Sequence, residues 1–383
     1  MRIWMFLSRS LSRRPTGLAA LTLMLALAAP ASAQQSNATF TINNVPVDAT
    51  ASSSAQAREI AIAQGEQAAL KRLFDSMVLK QDQPFLPALD TAGVAGLVDG
   101  ISVNGEKVSR TRYLAQLTVY FKADAVRNLL QRTGIAFSET VSKPVLVLPV
   151  LETAGFVSLW TDPNPWLAGW QTYDQIGSHV PFILPKGGAE EAAAISANDI
   201  ITGNPDTVAK LESTYGVTDV YLAYANLYLD PSTNAYVTRV LFMRFGDNPA
   251  VLADDTVPAP ADAAPDQRLT ALMTASVADA VGDLVEAWKR ETIVHYGAEV
   301  SLPAVVPVAT LADWVAVKDK LEKTAVVRAV DVTSMTVHEA RIAIKYLGNP
   351  DKLALALAQS DLQLTQGPSG DWVVTSSGAQ ASQ

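Results

Sequence analysis

Lys143-Pro144-Val145-Leu146-Val147-Leu148-Pro149 is the stretch that decides how we interpret the middle of the chain. Its four central residues are all apolar, which is typical of a strand that is buried on both faces of a sheet. Predicted helices and strands alternate after this run, through the rest of residues 143–298. The alternation predicts a central α/β layer with a mostly parallel sheet.

Two later segments of this middle block have distinct patterns. From Leu269 to Trp288, large apolar side chains recur every three or four positions, which predicts a long amphipathic helix. Asn248–Asp266 is rich in Ala, Pro and Asp, and this composition predicts a solvated loop.

Smaller blocks flank the middle one on both sides. Residues 39–139 have the predicted order β-α-(α)-β-β-α. Residues 302–375 have the order β-α-β-β-α-β(-β), which is the split βαβ plan. The fold class we predict is α+β and α/β, with two small α+β sandwich modules flanking the central α/β layer. Residues 376–383 form a polar tail.

Residues 1–33 have the three parts of a secretory signal peptide. Met1–Arg14 is basic, Leu18–Ala29 is a short apolar run, and Ala31-Ser32-Ala33 supplies the small residues before a cleavage site. The apolar run is too short to cross about 30 Å of hydrocarbon. We therefore expect cleavage after Ala33, a periplasmic location, and no membrane span in the mature chain.

The charge balance excludes several classes of function. The 383 residues include 29 Lys and Arg against 38 Asp and Glu, for a net charge of −9. The predicted signal peptide holds four arginines and no acid, so the mature chain carries −9 − 4 = −13. Nucleic-acid binding needs clustered basic residues, so we expect no nucleic-acid partner. An acidic chain also disfavours electrostatic docking on anionic lipid.

Common catalytic signatures are missing from the sequence. It has no cysteine, which excludes thiolate zinc sites and cysteine nucleophiles. It contains no phosphate-binding glycine loop and no nucleophile elbow. His179, His295 and His338 are far apart in the sequence, so no metal site and no cofactor is predicted.

The densest aromatic segment runs from Leu159 to Trp170 and holds three of the seven tryptophans. If a helix begins at Pro165 after Asn164, Trp166 and Trp170 are neighbours on one face. One interpretation is an aromatic platform for a glycan or for a partner's apolar side chain. The other is that the rings cover the middle sheet and fix the loop after its first strand. The predicted binding residues are Trp160, Asn164, Trp166 and Trp170.

Several of these motifs occur together in a known family. They are Val47–Ala51, then Ala57, Ala61, Gly65, Ala69 and Leu73 at four-residue intervals, Val145–Pro149, the segment Leu159–Trp170, and Tyr215–Val220. In these motifs the chain resembles an exported proteobacterial family catalogued as a domain of unknown function, numbered two-thousand-and-sixty-six. The resemblance covers most of the mature chain. It implies an envelope location and carries over no catalytic residue.

The sequence predicts a periplasmic, multi-domain binding or assembly protein of the bacterial envelope, rather than an enzyme. Its expected partner is another envelope protein, because the exposed sheet edges of small modules can pair with extended segments. The alternative is an envelope glycan-binding protein or hydrolase that uses the Trp160–Trp170 region with Asp162 or Asp199.

Overall fold

The strands form three separate sheets, and helices pack on each of them. The computed structural model describes residues 39–246, 248–294 and 299–377. The predicted signal peptide and its cleavage site, His295 and residues 378–383 of the predicted polar tail lie outside these ranges. Below, each sheet together with the helices on it is called a module, and the three are the first, middle and third modules.

The first module is a three-stranded antiparallel sheet with the strand order β1-β3-β2, covered on one face by a long helix. Its elements are β1 (Thr41–Thr50), α1 (Ser54–Met77), α2 (Thr91–Leu97), β2 (Val98–Val108), β3 (Arg112–Phe121) and α3 (Ala123–Thr133). Gly65 lets the helix approach the sheet closely. A Cβ atom there would lie 2.5 Å from Leu117 Cδ1 and 2.7 Å from Val47 Cγ1.

The middle module contains six strands in the order β5-β4-β7-β8-β9, with β6 also beside β4. Its strands are β4 (Val145–Thr153), β5 (Phe156–Ser158), β6 (Phe182–Ile183), β7 (Val220–Asp230), β8 (Ala235–Arg244) and β9 (Ala250–Pro258). Its helices are α4 (Pro165–Thr172), α5 (Ala189–Ala194), α6 (Ala197–Ile201), α7 (Pro205–Tyr215) and α8 (Arg268–Thr292). Helices α4 and α8 cover one face of the sheet, and α6 and α7 cover part of the other.

The prediction of a mostly parallel central sheet is wrong. Strand β4 runs parallel to β6 and β7, but the pairs β4–β5, β7–β8 and β8–β9 are antiparallel. Only residues 231–234 join β7 to β8, and only 245–249 join β8 to β9. A connection between parallel neighbours needs about a dozen residues or more, so strands joined by links this short run antiparallel. The chain is therefore α+β overall.

Two features of the sequence explain that error. The run Val145–Leu148 is buried, as its composition predicts, but burial on both faces requires covering helices and not parallel neighbours. Residues 250–258, within the segment predicted as a loop, form β9 and add an antiparallel strand to the sheet.

The third module is a five-stranded sheet in the order β11-β12-β10-β14-β13 with two helices on one face. Its strands are β10 (Val300–Pro307), β11 (Val327–Met335), β12 (Glu339–Tyr346), β13 (Leu362–Gln366) and β14 (Trp372–Ser376). Its helices are α9 (Leu311–Lys323) and α10 (Pro350–Gln359). Among the described helices of the three modules, none is long and apolar enough to cross a membrane.

Helix α8 contacts both neighbouring modules. Lys289, which is 2% exposed, donates hydrogen bonds from Nζ to the carbonyl oxygens of Asp75 (2.8 Å) and Val78 (2.6 Å) at the end of α1. The buried carboxylate of Glu286 pairs with Lys289 at 2.8 Å and accepts the backbone N–H of Lys80 at 3.1 Å. A lysine from one module thus satisfies the free carbonyls at a helix end in another.

The third module also contacts α8 through a lysine that donates to carbonyl groups at a helix end. Lys352 of α10 donates from Nζ to the carbonyl oxygens of Glu291 and, at 3.2 Å, of Arg290, in the last turn of α8. The segment between the first and middle modules also lies along this helix. Trp288 Nε1 donates to the carbonyl oxygen of Thr140 at 2.6 Å, and the hydroxyls of Ser138 and Thr292 lie 2.6 Å apart.

Candidate functional site

The aromatic segment folds locally as its sequence predicts. Asn164 caps helix α4, because its Oδ1 accepts the backbone N–H groups of Trp166 (3.1 Å) and Leu167 (3.0 Å). Trp166 and Trp170 are neighbours one turn apart, with ring centroids separated by 5.6 Å and ring planes nearly perpendicular. This edge-to-face arrangement is a favourable one for two indole rings.

These two rings lie in the core of the middle module. Trp166 is 0% and Trp170 is 1% exposed. Trp166 Nε1 donates to the carbonyl oxygen of Ala223 on β7 at 2.9 Å, and Trp170 packs edge-on against Phe182 with centroids 5.0 Å apart. The pair covers one face of the sheet and offers no surface to a ligand.

Trp160 and Asn164 do not complete a platform either. Trp160 is half-buried in the core on the opposite face of the sheet, where its Nε1 donates to the carbonyl oxygen of Ile195 at 2.9 Å. Asn164 is buried and uses its carbonyl oxygen for the cap. The four residues therefore do not share one exposed surface.

The acids considered for the hydrolase alternative are also placed for structural roles. Asp199 forms a capping box with Ser196 at the start of α6, with Ser196 Oγ 2.6 Å from its carboxylate. Asp162 is exposed in the loop before α4. Within the part of the chain that the structure describes, neither carboxylate is hydrogen-bonded to a histidine that could serve as the base for a nucleophile.

The two described histidines lie in different modules and do not form a metal site together. His338 is exposed at the start of β12. His179 is buried, and neither of its ring nitrogens has a hydrogen-bond partner among the described residues. Burial, with a smaller contribution from the positive charge of Lys289, lowers the pKa of His179 to about 4.

A group of polar residues that the sequence did not identify crosses the middle sheet. Glu152, Asn226, Arg239 and Thr256 lie directly opposite one another on β4, β7, β8 and β9. Tyr224 and Asp254 occupy the adjacent row on the same strands. We call these six residues the polar strip. The strip begins where the packing of α6 and α7 on this face ends, since Leu148 and Leu222 belong to the covered core.

Internal hydrogen bonds hold the polar strip in place. Glu152 Oε2 accepts the Tyr224 hydroxyl and, at 3.1 Å, Asn226 Nδ2. Arg239 forms a two-pronged pair with Asp254, with both N–O distances at 2.7 Å. Burial and the hydrogen bond to Glu152 raise the pKa of Tyr224 to about 12. The hydrogen bond to Arg239 lowers the pKa of Asp254.

A cavity of about 240 Å³ opens over one part of the strip. Glu152, Tyr224, Asn226 and Arg239 line it together with Leu241. It lies toward the carboxyl ends of the parallel strands β4 and β7, which is where ligands bind in open sheets of this kind.

The free edge of the middle sheet carries a second cluster. The carboxylates of Asp255 on β9 and of Asp279 and Asp283 on α8 lie within 4.8 Å of one another. Burial raises the pKa of Asp283, and the two neighbouring acids act in the same direction, while Lys80 at 3.3 Å opposes them. These acids give the edge a negative charge.

The chain was compared with known protein families, with curated proteins and with solved structures, and no match was found. The resemblance to the exported family therefore stays a prediction from the motifs themselves.

Proposed function

We propose that the chain is an exported binding and assembly protein of the bacterial envelope, and that β9 captures an extended segment of another envelope protein. The observation that carries this proposal is the outer edge of β9. Among the described strands, β9 is paired only with β8, so the backbone groups on its other side are free to form a further ladder.

The geometry of β9 leaves it more open to pairing than three of the other edge strands, β2, β5 and β11. It is paired in regular register from Ala253 to Pro258. The edge strands β2 and β11 are each interrupted twice by bulges, and β5 has only three residues. Bulges and short length protect an edge from pairing. β9 has nine residues and one bulge; the edge strand β1 also has one bulge, and β13 has only five residues.

The charge of the edge indicates the chemistry of the partner. Asp255, Asp279 and Asp283 lie beside β9, and the whole chain is acidic. Their charge repels acidic segments, including a second copy of this edge, and attracts lysine or arginine. The captured segment is therefore extended and basic.

Photo-crosslinking in intact cells tests the proposal. Benzoyl-phenylalanine replaces Val251, which is 60% exposed on β9, and the crosslinked proteins are identified by mass spectrometry. We expect a small set of envelope proteins to be captured, and we expect Asp255→Lys in the same chain to lower the yield strongly because it reverses the charge of the edge.

The matched control places the same crosslinker at Val332, which is 45% exposed on the bulged edge strand β11. Equal capture of the same proteins from Val332, or capture from Val251 that Asp255→Lys leaves unchanged, would refute strand capture at β9.

A further inference from the structure

We propose that the polar strip is a binding site for a saccharide, with Glu152 and Arg239 as its main hydrogen-bonding residues. This inference is independent of strand capture, because it uses the face of the middle sheet and not its edge. It rests on four properties of the strip: its unused hydrogen-bonding capacity, its rigidity, its charge and its extent.

The strip has hydrogen-bonding atoms to spare. Glu152 directs both of its internal bonds to Oε2, and Oε1 has no partner among the described residues. Arg239 donates hydrogen bonds from Nε and Nη2 to Asp254. Its Nη1 has no acceptor among the residues that the structure describes. An acceptor on β4 and a double donor on β8 therefore remain available, with the Asn226 amide on β7 between them.

These groups are fixed before any ligand arrives. Tyr224 and Asn226 hold Glu152, and the two bonds that Arg239 donates to Asp254 hold its guanidinium plane. Side chains that are already ordered lose little conformational entropy on binding. The strip is therefore suited to a ligand with a fixed pattern of donors and acceptors.

The charges of the strip disfavour a simple anion or cation as its ligand. An anion would meet two carboxylates, Glu152 and Asp254, beside a guanidinium that is already paired. A cation would be repelled by the guanidinium of Arg239. Its attraction to Glu152 would be weakened, because that carboxylate already accepts two hydrogen bonds. A neutral ligand with several hydroxyl groups, such as a sugar, satisfies both, because one hydroxyl can donate to Glu152 while another accepts from Arg239.

The shape of the site fits a chain of sugars. The cavity combines three polar residues, Glu152, Asn226 and Arg239, with Leu241 and the Tyr224 ring, which offer apolar surface to the C–H face of a sugar ring. Four strands spaced about 4.8 Å apart give the strip a length of about 14 Å, longer than the cavity itself. Tyr228, 39% exposed and two residues beyond Asn226 on β7, extends this surface.

Isothermal titration of the full chain with chitotetraose and maltotetraose tests the inference. We expect one of these neutral tetrasaccharides to bind, and we expect Glu152→Gln and Arg239→Met each to weaken the affinity at least about tenfold, since each removes a hydrogen bond to a charged group. Glu339→Gln and Arg341→Met remove an exposed Glu–Arg pair, 3.0 Å apart, on β12 of the third module and should leave the affinity unchanged.

Three results would overturn the inference. The first is no heat of binding with either tetrasaccharide at millimolar concentration. The second is sugar binding that survives both Glu152→Gln and Arg239→Met in folded protein. The third is binding of spermidine in place of the sugars, lost in Glu152→Gln, which would assign a cation site. Asp255→Lys should not change sugar affinity, so this test and the crosslinking test can fail separately.

Discussion

Trp166 combines two structural roles in one side chain. Its ring is fully buried between α4 and the sheet, and its indole N–H satisfies a carbonyl group of β7. Trp166→Ala should therefore lower the free energy of unfolding by about 3–5 kcal/mol, because it leaves a cavity and an unpaired carbonyl. Urea denaturation followed by circular dichroism measures this loss.

Trp160→Ala provides the comparison. Trp160 is only half-buried, so its truncation should cost clearly less than that of Trp166. If Trp166→Ala left the unfolding midpoint unchanged, Trp166 would have to be an accessible ligand-binding residue after all, and our assignment of the two rings to the core would be incorrect.

His179 makes the stability of the chain depend on pH. Its pKa is about 4 in the folded chain, below the ordinary value of 6.5, so the unfolded chain takes up the proton first. Stability should fall as the pH drops from about 6.5 to about 4, by up to about 3 kcal/mol for a difference of about 2.5 pKa units. Urea unfolding across this pH range measures the slope.

Other acids also titrate in this range, so the contribution of His179 is obtained by difference. His179→Leu removes the imidazole and keeps an apolar side chain in the buried site. The pH dependence of this variant should be shallower than that of the natural chain by the amount given above. Parallel curves for the two proteins would mean that His179 is not held neutral by burial.

At the scale of helices, the contact between α8 and α1 depends on a buried ion pair. Lys289→Met should destabilise the chain by about 3–5 kcal/mol, because it leaves the buried Glu286 with the exposed Arg290 at 3.7 Å in place of Lys289 at 2.8 Å. The double variant with Glu286→Gln should cost less than the sum of the two single variants. A double-mutant cycle of unfolding free energies measures this coupling.

Lys318 and Glu322 on α9 form the matched pair for this cycle. They are one helical turn apart, and their charged atoms lie 2.6 Å from each other, but the side chains are 36% and 48% exposed to solvent. Their coupling should be no more than about 0.5 kcal/mol. Equal coupling in the two pairs would show that burial does not strengthen the Glu286–Lys289 contact.

Some elements can be predicted from the sequence because their signal is local. The apolar spacing from Leu269 to Trp288 predicts a helix, and α8 spans Arg268–Thr292. The pattern Asn164-Pro165 predicts the start of α4 in the same way. The sequence does not predict β9, because it lies within a segment (248–266) whose alanines, aspartates and prolines resemble a loop; its pairing with β8 makes it a strand.

The candidate sites were harder to predict because they depend on contacts between strands. Asn226 is unusual as an amide in an otherwise apolar strand, and this signal could have pointed to β7. Its position between Glu152 and Arg239 follows from strand register, which the sequence alone does not provide. The close spacing of the tryptophans in the sequence suggested a binding surface, but Trp166 and Trp170 are close together because both pack in the core of the middle module.

At the scale of the whole molecule, α8 connects the three modules. Lys289 of the middle module satisfies the carbonyl end of α1, and Lys352 of the third module does the same for the end of α8. These contacts join the modules through buried or partly buried hydrogen bonds in addition to the linking chain. In this arrangement two parts of the middle sheet remain accessible. One is the outer edge of β9, and the other is the polar strip on the face opposite α8.

The most direct test of strand capture is hydrogen–deuterium exchange, followed by mass spectrometry, on the complex with the partner that crosslinking identifies. Strand addition would pair the free backbone N–H groups of β9. We therefore predict that partner binding slows exchange mainly within residues 250–258 and much less within β2 and β11. Unchanged exchange in β9, with protection appearing at another edge or in another module, would contradict the account.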